Sequence, residues 1–322
     1  MRVARLVPAG VFLFCTALAQ AATITVDCNA GGKVQTAIDA AKPGDKIVVS
    51  GVCNENLKVL DEVARITLDG QGSTTIHGPN SGANTILVAG RNITIQGFTI
   101  SGGRNGVAVV RGAMALIDSN TIQESVENGI NVAQHSFAGI LNTTVQLNHD
   151  AGIRMLDSSF ARIGFMDLAQ PARGNTIRQN GAAGVLVDWS SGASLAANSI
   201  SDNDGPGVSV TGASQAELAG NHIDGNRSDG VAVSQNSFVQ LGDWPGLLNP
   251  PNDTTVPNAG FGFHCSLNSS ASGFLATLDG AEGAKRFDGS CTNGLDRVPE
   301  DEGGAPTHQW LPMGRAPGQK AD

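Results

Sequence analysis

Gly106-Val-Ala-Val109, Gly129-Ile-Asn-Val132, Gly152-Ile-Arg-Met155, Gly184-Val-Leu-Val187, Gly207-Val-Ser-Val210, Gly230-Val-Ala-Val233 and Gly260-Phe-Gly-Phe263 repeat one pattern, a glycine followed by apolar–x–apolar. The intervals between the glycines are 23, 23, 32, 23, 23 and 30 residues. Four of the six intervals therefore share one length, and two coils carry insertions in the order short, short, long, taken twice. A second landmark falls fourteen residues after the glycine, at Asn120, Thr143, Asn198 and Asn221, with Asn175 displaced by nine more. A third falls nineteen residues on, at Asn148, Asn203 and Asn226.

Each coil thus holds three short alternating segments separated by turn residues, and none is long enough to bury a face alone. Stacking the coils in register pairs every segment with its copies above and below, at about 4.8 Å per coil. Inward residues then rest on their own repeats, and asparagines at a bend bond to the next coil as a ladder. The predicted fold is all-β: a single-stranded right-handed parallel β-helix with a short N-terminal capping helix. Leucine-rich repeats have a similar period, but the multi-leucine consensus is missing.

Bulk composition agrees. Glycine reaches 42 residues, tyrosine is absent and aromatics make up 4 %, which suits a narrow core of stacked Val, Ile, Leu and Ala. The formal net charge of −9 argues against nucleic acid as a partner and offers no basic patch for anionic lipids. Residues 1–21 have the layout of a secretory signal peptide: Arg2 and Arg5, an apolar run over 6–18, then Ala19-Gln20-Ala21. The run is too short to span a bilayer, and Phe14 before Cys15 disfavours a lipoprotein. The β-helix domain is expected over 22–298, and the Gly-, Pro- and charge-rich stretch 299–322 reads as a disordered tail. The chain is expected to be exported, to the periplasm or beyond the cell. After the leader four cysteines remain, Cys28, Cys53, Cys265 and Cys291, an even number suited to disulfides in an exported chain. Of three possible pairings, Cys28 with Cys53 and Cys265 with Cys291 is favoured, because the chain between the pairs reads as a long rod.

The chain before Gly106 supplies the cap. Val34-Gln-Thr-Ala-Ile-Asp-Ala-Ala41 has helical apolar spacing, Lys42-Pro43-Gly44-Asp45 stops it, and Lys46-Ile-Val-Val49 reads as a strand. The run from 34 to 59, VQTAIDAAKPGDKIVVSGVCNENLKV, followed by ITLDGQGSTTIHG over 66–78, resembles the opening of the pectin-lyase-like superfamily, and particularly its bacterial right-handed β-helix repeat proteins. Where such proteins often carry Tyr, this chain has Cys53. The resemblance spans roughly residues 25 to 280 and is specific for fold rather than activity. It implies that the asparagine bend separates the second and third strands of a coil. The glycine-led segment is then the first strand, whose outer face forms the substrate groove in the polysaccharide enzymes.

Alternation directs the residues one and three after each glycine inward, and those two and four after it outward. Function-capable side chains then gather on neighbouring coils: Asn131, His135, Arg154, Asp157, Asp188 and Trp189. Arg154, Asp157 and Asp188 are the catalytic candidates, and Asn131, His135 and Trp189 the substrate-binding ones. Trp189 offers a face for a sugar ring, and the carboxylates suit acid–base work or Ca²⁺. The plainer alternative is a solvated sheet face with a surface ion pair of little energetic weight. No cofactor is required, and no motif specifies Ca²⁺ or another metal.

The sets expected from the resemblance are missing: the polygalacturonase Asn-Thr-Asp, paired-Asp, Gly-His-Gly and Arg-Ile-Lys pattern, the Asp-Pro-His-Asp string of mannuronan epimerases, and the paired arginines of pectate lyases. No lysine occurs between 59 and 284, which excludes a lysine or tyrosine lyase on the shaft and leaves Arg154 as the conceivable base. The primary expectation is an envelope protein that binds glycans or another protein, or is structural. The alternative is a lyase, hydrolase or epimerase that uses the Arg/Asp cluster. His149-Asp150 and the pair His222 and Asp224 read as turn and outward polar residues. The two insertions, beginning at Ile163-Gly164 and Leu241-Gly242, are expected to protrude at the asparagine bend.

Overall fold

The computed structural model describes residues 21–167, 170–242 and 249–296. The expected leader, apart from Ala21, and the expected tail lie outside the described residues. Each glycine-led triplet is a short strand, among them Ile130–Val132, Ile153–Met155, Val185–Val187, Val208–Val210 and Val231–Val233. These strands pair in parallel as a ten-stranded sheet from Leu57–Val59 to Gly283–Phe287. The rest of each regular coil adds a five-residue and then a three-residue strand to a second parallel sheet, as in Gly192–Ala196 and Ser199–Ser201. The chain is a right-handed β-solenoid.

Its core is a set of vertical stacks. Ile130, Ile153, Val185, Val208 and Val231 lie one above another and are fully buried. Full burial of each such side chain contributes roughly 1.5–3 kcal/mol against the chain entropy. The repeated glycine exists because the chain turns sharply into the next coil. A Cβ on Gly184 would lie 2.7 Å from the Gly207 carbonyl oxygen and 2.8 Å from Asn203 Nδ2.

Three ladders hold the bends. The first runs Asn120, Thr143, Asn175, Asn198, Asn221, Asn252, all buried. Asn198 shows the bonding: its Nδ2 donates to Ile163 O at 2.9 Å and to Asn221 Oδ1 at 2.8 Å, while its Oδ1 accepts from the Asn175 amide groups. Asn148, Asn180, Asn203, Asn226 and Asn258 form the second. A third, of serines, follows the glycine-led strands at Ser136, Ser159, Ser191, Ser214, Ser237 and Ser269, where every hydroxyl after the first accepts from the backbone N–H of the preceding serine in the series.

One expected register is corrected. Val231 pairs with Phe263 and Val233 with Cys265, so the repeat glycine is Gly262 rather than Gly260. The last interval is therefore 262 − 230 = 32 residues, not 30, and both long coils have the same length. The sequence is degenerate there, since Gly260-Phe-Gly-Phe and Gly262-Phe-His-Cys both fit the signature. Inward placement of Cys265, which bonds to Cys291, selects the second frame.

The helix Val34–Ala40 covers the N-terminal opening with Val34, Ala37 and Ile38. The Glu55 carboxylate accepts the Val34 and Gln35 amides and so occupies its positive end. Cys28 bonds to Cys53 and Cys265 to Cys291, one bridge near each end. The insertions leave after Phe160–Ile163 and Phe238–Leu241 and rejoin the first ladder at Asn175 and Asn252.

Candidate functional site

Arg154 is the outward residue of Ile153–Met155, in register with Asn131 before it and Leu186 after it. One residue past Val185–Val187 stands Asp188, and its Oδ2 meets Arg154 Nη2 at 3.3 Å. Both groups are largely sheltered, with 27 % and 13 % of their side chains exposed. Asp188 Oδ1 also accepts the Trp189 backbone N–H at 2.8 Å. The carboxylate thus turns the chain and neutralises the guanidinium together. Asn131, Arg154 and Asp188 share the outer face of the ten-stranded sheet.

Asp157, Trp189 and His135 go elsewhere. The bend after each glycine-led strand consists of two consecutive left-handed residues: Gln134 and His135, Asp157 and Ser158, Trp189 and Ser190, Gln235 and Asn236. Such a pair carries its side chains away from the strand face and out at the corner. Trp189 is 61 % exposed there. With Gln134, His135, Asp157, Ser158, Ser190 and Gly212 it lines an open depression of about 680 Å³. The absent side chain of Gly212 leaves the space beside Trp189 free. The six expected residues therefore form two groups, an ion-paired face and a corner, joined at Asp188–Trp189.

The corner continues around the bend. A second shallow cavity of about 480 Å³ shares Ser158 and Ser190 with the first and extends over Gly192 and Gln215 to Phe160 and Phe238. None of the six expected residues lines it. Its signal was present, as a serine seven residues after five successive repeat glycines, which marks the bend where the outward row of the next strand begins.

Two other polar clusters lie away from the corner. His222 of His222–Asp224 sits between Asp224 and Asp253, its two ring nitrogens each 2.5 Å from one carboxylate. The Asp253 hydrogen bond, and then the Asp224 charge, raise its pKa above the ordinary histidine value, while burial opposes them. Glu217 receives the Ser194 hydroxyl at 3.1 Å, and burial raises its carboxyl pKa above the ordinary value. It lies on Gln215–Ala219, two residues beyond the floor of the second cavity.

These elements define a right-handed β-helix of the pectin-lyase-like type, which is also the form of the similar solved structures. A pectate lyase aligns over 85 % of this chain and 82 % of its own, with 12 % identity and a TM-score of 0.56. The A-module of a mannuronan C-5 epimerase from Azotobacter vinelandii aligns over 86 % and 88 %, with 13 % identity and a TM-score of 0.51. At such identities the likeness is one of fold. The chain belongs to the family described as periplasmic copper-binding protein (NosD), which matches residues 38–240. A cell surface glycoprotein of Methanothermus fervidus is 34 % identical over 94 residues, 29 % of this chain and 16 % of that protein. The chain thus matches only a small part of that relative.

The described residues do not fit a copper centre. Copper requires convergent imidazole, thiolate or thioether donors. Among the described residues no three His, Cys, Asp or Glu side chains converge on one point. The four described cysteines are disulfide-bonded and Met155 is fully buried in the core. His222 and His264 each have carboxylates at opposite ring nitrogens, so the donors diverge across the ring.

Proposed function

We propose that this chain is an extracytoplasmic β-helix that binds envelope glycan at its corner and holds it without chemical change. The observation that carries the reading is Trp189, an exposed indole beside an open depression. Among the described residues, the side chains of His135, Asp157, Ser158 and Ser190 have no hydrogen-bond partner and are free for a ligand. An aromatic face with a few free polar groups around it suits a sugar ring. Arg154, the candidate base, is committed to Asp188. Asp157 lines the corner depression with Trp189, outside the Arg154–Asp188 pair, which supports binding over catalysis. A periplasmic family and a cell-surface relative support the location.

The test is affinity electrophoresis of the purified protein in gels containing acidic or neutral polysaccharides. It is run beside assays for unsaturated products and new reducing ends, with and without Ca²⁺. Retention without products is expected, with retention falling about tenfold in Trp189→Ala, the loss of roughly one aromatic contact. Product formation abolished by Arg154→Ala would establish the enzyme instead.

A further inference from the structure

We infer that the cavity between Phe160 and Phe238 is a second binding site, for about three sugars of a neutral glycan lying parallel to the solenoid axis. The inference rests on the glycan reading and extends it around the corner. Phe160, Gly192, Gln215 and Phe238 are successive members of one outward row, paired in register across four coils. Three strand spacings, roughly 14 Å, separate the two rings, a length comparable to three extended pyranose units.

The walls and floor have distinct origins. Phe160 stacks on Phe137, centroids 6.3 Å apart with planes 7° from parallel, so its other face is turned towards the cavity. It leans over Gly192, where a Cβ would lie 2.7 Å from Phe160 Cδ2. A larger residue there would displace the ring, and the small one opens the row. Gln215 replaces the aromatic in the next coil and Phe238 restores it. The Ser158 and Ser190 hydroxyls and the Gln215 and Asn236 amides have no partner among the described residues, although all line the cavity. Two phenylalanine rings with hydroxyl and amide groups between them match the alternating apolar faces and hydroxyl edges of a sugar chain.

Charge selects the class. No lining side chain is ionisable, and the chain carries a formal net charge of −9. An acidic polymer would meet repulsion without a compensating cation, whereas a neutral one meets none.

The experiment compares wild type, Trp189→Ala and Gln215→Phe by affinity electrophoresis and calorimetry. The probes are xylan, galactomannan and mixed-linkage β-glucan, with alginate and polygalacturonate as acidic counterparts. Gln215 is exposed and the row already holds phenylalanines, so Gln215→Phe fills the cavity and is expected to keep the wild-type melting temperature. The expected result is neutral-glycan binding reduced at least tenfold by Gln215→Phe, with trisaccharides and longer oligomers of the bound polymer binding better than the disaccharide. Neutral binding weakened by Trp189→Ala but untouched by Gln215→Phe would overturn this site and leave the corner reading intact. Binding of the acidic polymers alone would overturn the neutral class. Retention of none of the five would overturn both readings.

Discussion

The two 32-residue coils insert chain at the same bend, yet they fasten it by different chemistry. The first insertion returns through Arg173, whose guanidinium makes two bonds to Asp118, at 2.6 and 2.7 Å. Arg162 adds a contact over the Phe165 ring, 5.7 Å from its centroid. The second returns through Asp253, held by His222, which also holds Asp224. A guanidinium keeps its charge at every physiological pH, whereas an imidazole does not. Both insertions then rejoin the same buried asparagine ladder. The difference separates what the repeat demands, an amide inside each bend, from what each loop has acquired outside it.

The largest expected effect concerns the shared part. Asn175→Ala and Asn252→Ala should each cost about 2–4 kcal/mol in urea unfolding, because each strands several buried backbone and amide groups. Asn175 accepts the Thr143 N–H and donates to Ile140 O, while Asn252 accepts from Asn221 and donates to Leu218 O. A cost confined to one coil would break the equivalence.

Next in size is Arg173→Ala. Its ion pair is partly exposed, and a loss of about 0.5–1 kcal/mol is expected. Hydrogen exchange in 164–174 should accelerate to the same degree at pH 6 and pH 8, after correction for intrinsic rates.

The second insertion should respond to pH instead. The folded-state pKa of His222 is raised, so its contribution is fully present below the unfolded value of about 6.5 and is lost as pH rises through the folded value. Protection of 250–256 should therefore fall as pH rises through the folded value of His222, and His222→Ala should remove that dependence. A fall that persists in His222→Ala would place the switch elsewhere.

Glu217 lies on a coil between the two insertions and should give the smallest effect. Its carboxyl pKa is raised by burial, so the folded state favours the protonated form and loses stability as pH rises from the unfolded value through the folded one. Glu217→Gln should raise the melting temperature slightly at pH 7 and leave it unchanged at pH 4. Equal shifts at both would show that ionisation is not involved.

Much of this was readable from residues alone. Glycine spacing and apolar alternation located the strands, because a side chain stacked on its own repeat must stay the same size and polarity. The asparagines were recognisable for the same reason. The glycine of the last long coil was misplaced by two residues because two overlapping signatures fit, and only pairing with Val231 and Val233 distinguishes them. Arg154 and Asp188 were expected within reach of each other and meet directly. Trp189 and Asp157 were harder, since alternation stops at a bend and two successive left-handed residues redirect their side chains. Asp253 was out of reach of sequence logic: it stands 31 residues from His222, beyond an insertion whose path no period governs.

The central claim, that ligand occupies the corner, is tested most directly through Trp189 itself. In a Trp244→Phe, Trp310→Phe variant the remaining emission comes from Trp189, and a glycan retained in affinity gels is titrated against it. Burial of an exposed indole beneath a sugar predicts a saturable blue shift, with a midpoint matching the gel affinity. Unchanged emission at glycan concentrations that fully retain the protein would place the ligand elsewhere and contradict the account.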